Sequence, residues 1–199
     1  MAPLISIVGA SGVGKTTLAR ALCKAHDFGL AAEQHNERPF QTLFKQDVKY
    51  ALANQLDYLL YRAEQERELR QSGKPVLMDG GLDLDFHGFT RLFHARGFLN
   101  DAEFDLCRRF YEHARNFLPP PNLIVCLSAD AEIIRARLAS RSRINIASGE
   151  DAELLSRYID RWLDSIPQQK ILRLDVSHED ATFAKSISVI MNTVEEIPR

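Results

Sequence analysis

The chain has 199 residues, 45% of them apolar and 26% charged, with a formal net charge of −2. That length suits one domain with a full core. The near-neutral balance argues against a general affinity for nucleic acid or anionic membrane, and no apolar run approaches the roughly 20 residues that span a bilayer.

The opening "MAPLISIVGAS" has no basic region ahead of its apolar stretch, so it reads as a buried strand over Leu4 to Val8 and not as a signal peptide. A glycine loop follows, then a helix from about Thr17 to His26. "FGLAAE" reads as a second strand ending at Glu33, and Pro39 opens a short helix after the loop "QHNERPF". In the next segment Val48, Leu52, Leu56, Leu59 and Ala63 recur at helical steps, and Gly73 stands where a helix stops. "KPVLMDGG" is a third strand stopping at Asp79. A helical region starts near Asp85 and breaks around "RGFLND", and a further helix runs from about Asp101 to Phe117. "LPPPN" is a connection, not a domain linker. "NLIVCLSAD" is a fourth strand, "AEIIRARLASRSR" an arginine-rich helix, and "SGEDAELLSRYIDRWLDSI" a helix with Ser148 and Asp151 as a capping pair. "KILRLDV" is a fifth strand, followed by a helix from about Asp180.

Alternating strands and helices predict an α/β fold: a five-stranded parallel sheet flanked by helices in three layers, one domain over residues 1–199. Ligands of such sheets bind at the carboxyl ends of the strands. Three widely spaced cysteines, Cys23, Cys107 and Cys126, suggest reduced, buried thiols and a cytoplasmic setting.

Gly9, Ala10, Ser11, Gly12, Val13, Gly14, Lys15 and Thr16 fit the phosphate-loop pattern G-x-x-x-x-G-K-[ST], with Thr17 opening the helix behind it. Backbone N–H groups and the helix N-terminus would cradle an ATP phosphate chain. Lys15 would reach the β- and γ-phosphates and Thr16 would ligate Mg²⁺. The chain has no N-K-x-D guanine reader, and Gly80 stands where a motor ATPase would carry Glu after Asp79. Arg135, Arg137, Arg141 and Arg143 lie beyond the fourth strand, with Arg137 and Arg141 one turn apart; as a lid over about 137–149 they would offset charge on a transferring phosphoryl group. Glu33 would take the proton of an attacking hydroxyl, orient Mg²⁺ waters, or simply face solvent. Asp79 would be a Mg²⁺ partner, an acceptor-site carboxylate or a structural cap. Gln55 lies on the apolar stripe of the long helix with Arg62 seven residues on, so it would read a base edge or bond backbone in the core. Tyr50, Tyr58, Phe86 and Phe89 would stack on a ring or pack in the core.

These features, in this order, resemble the deoxynucleoside kinases, especially the bacterial deoxyadenosine/deoxyguanosine kinase branch. "EQHNERPFQTLFKQD" is similar to that family's Glu, Asn-Pro-aromatic and F-x-x-D stretch, "NQLDYLLYR" to its Q-x-x-F-L-x-x-R helix, and "RLASRSR" to its lid. The resemblance implies a P-loop kinase fold and transfer of the γ-phosphate of ATP to a deoxynucleoside 5′-hydroxyl, with Mg²⁺, in a homodimer. It makes Glu33 the general base, Gln55 the base reader, Asp79 the acid of the D/E-R-S motif, Asp85 the base-side acid, and Arg137, Arg141 and Arg143 lid residues. The chain makes two departures from the pattern: Gly80 replaces the motif's Arg, and Ile144, Asn145 and Ile146 stand where lid acids follow the arginines. They leave open a shifted acceptor, substitute residues from elsewhere in the chain, or weak activity. The alternatives are a nucleoside monophosphate kinase, with Arg38, Arg62 and Arg91 to hold the acceptor's phosphate, and a nucleotide-binding module without phosphoryl transfer.

Overall fold

The structure is a computed structural model, and it describes residues 2–31, 38–139 and 149–196. Its strands are β1 (Leu4–Gly9), β2 (Gly29–Ala31), β3 (Val76–Asp79), β4 (Leu123–Ser128) and β5 (Ile171–Asp175). They form one five-stranded sheet in the order β2-β3-β1-β4-β5, and every neighbouring pair is parallel. The central strand β1 is buried at every residue, as expected when helices cover both faces of a parallel sheet.

Alternation along the strands assigns the two faces. Ile5, Ile7, Val125 and Leu127 pack against Leu18, Ala19 and Leu22 of α1 (Lys15–Ala25) and Ile190 of α9 (Ala184–Glu195). Val8, Ile124 and Cys126 point the other way, onto Leu155, Ile159, Trp162 and Leu163 of α8 (Gly149–Asp164). Burying a leucine as fully as Leu18 or Leu22, both 0% exposed, contributes about 1.5–3 kcal/mol. The rest of the second face is built by α3 (Ala51–Arg70), which packs on β2, β3 and α6 (Asp101–Phe117).

Local chemistry sets the element ends. Pro39 is the first residue of α2 (Pro39–Gln46), where its missing N–H is no loss. Asn100 caps α6 in a reciprocal box with Glu103. The helical stretch after β3 begins earlier than the sequence suggests: α4 (Leu82–Leu84) starts directly after Gly80 and Gly81, runs through a π-helical segment (Asp85–Thr90), and continues as α5 (Arg91–Ala95). The last helix begins later than Asp180, at Ala184. There the Asp180 carboxylate accepts from the Thr182 N–H at 2.8 Å and from its hydroxyl, and this turn competes with a helical start. Ser148 lies outside the described residues, and the Asp151 carboxylate accepts from Arg96 Nε at 2.6 Å.

Candidate active site

Between β1 and α1 the chain turns through positive φ at Gly9 and Gly14, 140° and 116°. A Cβ at Gly9 would sit 2.5 Å from the Leu127 carbonyl oxygen of β4, so the loop requires glycine there for space as well as for conformation. Lys15 Nζ folds back along the loop and donates to the carbonyls of Gly9 and Ala10, both at 3.0 Å. Thr16 Oγ1 donates to Asp79 Oδ2 at 2.5 Å. The carboxylate is placed by the sheet, since Asp79 ends β3 in register with Ile7 of β1 and is buried. A hydroxyl and a carboxylate meeting at a phosphate loop are the hard oxygen donors that suit Mg²⁺. Among the described residues no group of three or more His, Cys, Asp or Glu would hold a metal by itself.

From the far side, α7 (Ala131–Ala139) brings Arg137 to the same loop, with Nη1 donating to the Val13 carbonyl at 2.7 Å. Arg135 does not join it; its Nε bonds back to Ala131 O at 3.3 Å. Phe183, the only non-glycine residue with positive φ among those described, lies where a Cβ on Gly14 would meet its ring at 3.0 Å. Nothing in the single sequence marks Phe183 as a loop neighbour.

A second polar cluster stands just beyond β3. Gly80 and Gly81 bend the chain, anchored by Gly80 N–H to Ile7 O at 2.9 Å and by Ser6 Oγ to Gly80 O at 2.6 Å. The space a side chain at Gly80 would enter is bordered by Arg62 Nη2, 3.6 Å from the Cβ position. So a guanidinium from α3 does lie beside the position where the family motif carries its arginine. Arg62 is held by Asp85, Nε to Oδ2 at 3.0 Å, with the pair almost fully buried. Gln55 is buried beside it, its Nε2 donating to Thr90 Oγ1 at 2.8 Å and to Asp85 O at 3.3 Å. Gln55, Arg62 and Asp85 thus form one cluster, and Asp79 with the phosphate loop forms the other.

The remaining candidates distribute differently. Tyr50 ends a short 3₁₀ turn at the start of α3, with Lys49 Nζ 5.1 Å from its ring centre. The Tyr58 hydroxyl bonds Gln41 at 2.8 Å. Phe86 stacks on Tyr111 at 4.3 Å and Phe89 packs under α8, so both serve the core. Arg38 is locked to Asp57 through two contacts of 2.5 Å, and Arg91 lies over the Phe86 and Phe104 rings. Glu33, Arg141 and Arg143, and most of the 137–149 lid, lie outside the described residues.

Behind the second cluster runs a buried ionic network with no obvious signal in the sequence. Arg115 of α6 forks onto Glu66 of α3, 3.0 Å to each oxygen, and onto Asp83 of α4, at 3.0 and 2.8 Å. Tyr111 donates to Asp83 at 2.7 Å and meets His87 Nε2 at 3.1 Å. His87 stacks flat on Trp162. Burial, with Arg91 and Arg115 near, lowers the His87 pKa to about 3, and burial together with the Asp83 carboxylate raises that of the Tyr111 phenol. For Arg115, burial opposes its charge, but Asp83 and Glu66 outweigh burial and hold it above the ordinary guanidinium value.

The family model for deoxynucleoside kinases matches residues 5–198. The chain is 22% identical over 200 residues to a Bacillus subtilis deoxyadenosine/deoxycytidine kinase, covering 98% of this chain and 91% of that one. It is 25% identical over 196 residues to a deoxyguanosine kinase of the same organism, covering 93% and 92%. Its fold is similar to that of a deoxyadenosine kinase from M. mycoides solved with bound dATP, with a TM-score of 0.77 at 18% identity over 97% of this chain and 100% of that one. The structure of that kinase with the products dCMP and dCDP gives 0.78 at 20% identity over 98% and 100%. With the phosphate loop in place and the match running over nearly the whole length, the chain belongs to the deoxynucleoside kinase family, a family of phosphotransferases.

Proposed function

We propose that this protein transfers the γ-phosphate of ATP to the 5′-hydroxyl of a deoxynucleoside. One observation carries the reading: the end of β3 serves both halves of the site. Asp79 touches Thr16 of the phosphate loop at 2.5 Å, and the next residue, Gly80, lies against Arg62 of the Gln55–Arg62–Asp85 cluster. A phosphate donor and a base-bearing acceptor held at those two places would meet at adjacent residues of one chain segment, Asp79 and Gly80.

In this reading the N–H groups from Gly9 to Thr17 cradle the phosphates, and Lys15 exchanges the loop carbonyls for phosphate oxygens. Thr16 and Asp79 hold Mg²⁺, which when bound neutralises phosphate charge. Arg137 pins α7 to the loop through Val13, so that Arg141 and Arg143 would follow it over the donor. Glu33, close beyond the end of β2, is the general base toward the 5′-hydroxyl, and Tyr50 borders the sugar. The ion pairs that hold Arg38 and Arg62 favour a nucleoside over a monophosphate acceptor, because a bound phosphate would have to compete with Asp57 and Asp85. The chain acts as one domain, and its free thiols suit the cytoplasm. A homodimer would cover Leu60 of α3 with Leu106 and Phe117 of α6, large apolar side chains left exposed on two packed helices, and sedimentation would measure it.

The test is a coupled turnover assay across deoxynucleosides and their monophosphates with ATP and Mg²⁺. Turnover of at least one nucleoside is expected, and reaction of monophosphates alone would overturn the reading. Glu33→Gln should leave ATP binding intact and lower turnover by about 10²-fold or more.

A further inference from the structure

The two N–H groups of Gln55 are both directed at acceptors inside the protein. One meets Asp85 O at 3.3 Å and the other Thr90 Oγ1 at 2.8 Å. A backbone carbonyl only accepts, so the amide must present its nitrogen to it, which settles which way the amide is turned. Thr90 cannot reverse its part either. Its single hydroxyl proton goes to Asp85 O at 3.0 Å, so towards Gln55 its oxygen can only accept. Thr90 is 0% exposed and Gln55 2%, so water does not readily replace these partners. The carbonyl of the Asp85–Thr90 π-helical segment therefore acts through Thr90 as a lock on the Gln55 amide. What Gln55 retains is Oε1, which accepts from no group among the described residues.

We infer that Thr90 is a specificity-determining residue: by committing both N–H groups of Gln55 it leaves the base pocket an acceptor at that point and selects bases carrying an exocyclic amino group. This rests on the reading of the Gln55–Arg62–Asp85 cluster as the acceptor's base pocket. A 6-aminopurine or 4-aminopyrimidine brings an N–H to Oε1. A 6-oxopurine or 4-oxopyrimidine brings a carbonyl oxygen there, and two acceptors facing each other in a dry site lose a hydrogen bond on both sides. Arg62 is anchored on its own partners, Nε on Asp85 at 3.0 Å and Nη1 on Gln65 at 3.1 Å.

The experiment compares kcat/KM for deoxyadenosine against deoxyinosine, and for deoxycytidine against deoxyuridine, in the wild type, Thr90→Val and Thr90→Ser. Each pair differs in the amino or oxo group and the ring proton that accompanies it. The wild type is expected to favour the amino member of each pair it accepts by about tenfold or more. Thr90→Val keeps the volume but frees one Gln55 N–H to face the base, and the preference should fall by about tenfold. Thr90→Ser restores the hydroxyl and should restore the preference. If Thr90→Val does not fold, Thr90→Ala carries the same expectation. A wild type that prefers oxo bases, a Thr90→Val enzyme that slows both members equally, or a Thr90→Ser enzyme that behaves like Thr90→Val would each overturn the inference while leaving kinase activity standing. A wild type that phosphorylates no nucleoside would overturn the kinase reading and this one with it.

Discussion

Arg115 offers the most quantitative test of how the site is supported. Its side chain is 12% exposed and bridges Glu66, 0% exposed, and Asp83, 7% exposed. Both carboxylates are bound in bidentate fashion, a geometry that a guanidinium supports and an ammonium does not. Arg115→Met keeps the bulk of the side chain but leaves two buried carboxylates facing each other, with Arg70 still on Glu66 and Tyr111 still on Asp83. Removing one member of a buried ion pair costs about 3–5 kcal/mol, which for a chain of this size lowers Tm on the order of 10 °C. Urea unfolding followed by circular dichroism would measure it. Adding Asp83→Asn to Arg115→Met removes the stranded carboxylate while Glu66 keeps its Arg70 partner, and should recover most of the loss, because a neutral amide needs far less compensation than a carboxylate. A single variant costing under about 1 kcal/mol, the value of an exposed pair, would refute the reasoning. So would a double variant no better than the single.

Lys15→Ala should weaken ATP binding in titration calorimetry and lower turnover by about 10²-fold or more, with little change in Tm because the residue is only half-buried. Gly9→Ala forces a Cβ to 2.5 Å from Leu127 O at a φ of 140°, so a loss of about 3 kcal/mol or more in urea unfolding is expected; an unchanged midpoint would contradict the close packing of the loop on β4. His87, with its pKa lowered from 6.5 to about 3, stays neutral in the folded state while the unfolded chain takes up a proton across that range. Its contribution is therefore intact above pH 6.5 and falls with pH below it, by up to about 1.4 kcal/mol per pH unit; His87→Phe should flatten that part of a stability-versus-pH curve.

What the sequence by itself determined is everything carried by short-range pattern. The buried run Leu4–Val8, the glycine loop and Lys15–Thr16 are contiguous, so their geometry follows from local sterics and the start of one helix. The alternation of strands with helices likewise predicted the parallel sheet and its three layers, because a parallel connection requires a crossover. Tertiary structure alone decided which distant residues meet. Strand order puts β3 beside β1, and that brings Asp79 to Thr16 across 63 positions of chain. The packing of α3 on the segment after β3 gives Arg62 to Asp85, sets it beside the gap at Gly80, and turns Gln55 onto Thr90. Arg115, Phe183 and Thr90 carry no local signature: each acts through a partner far away in the chain, and neither hydrophobic period nor motif spacing encodes such pairings.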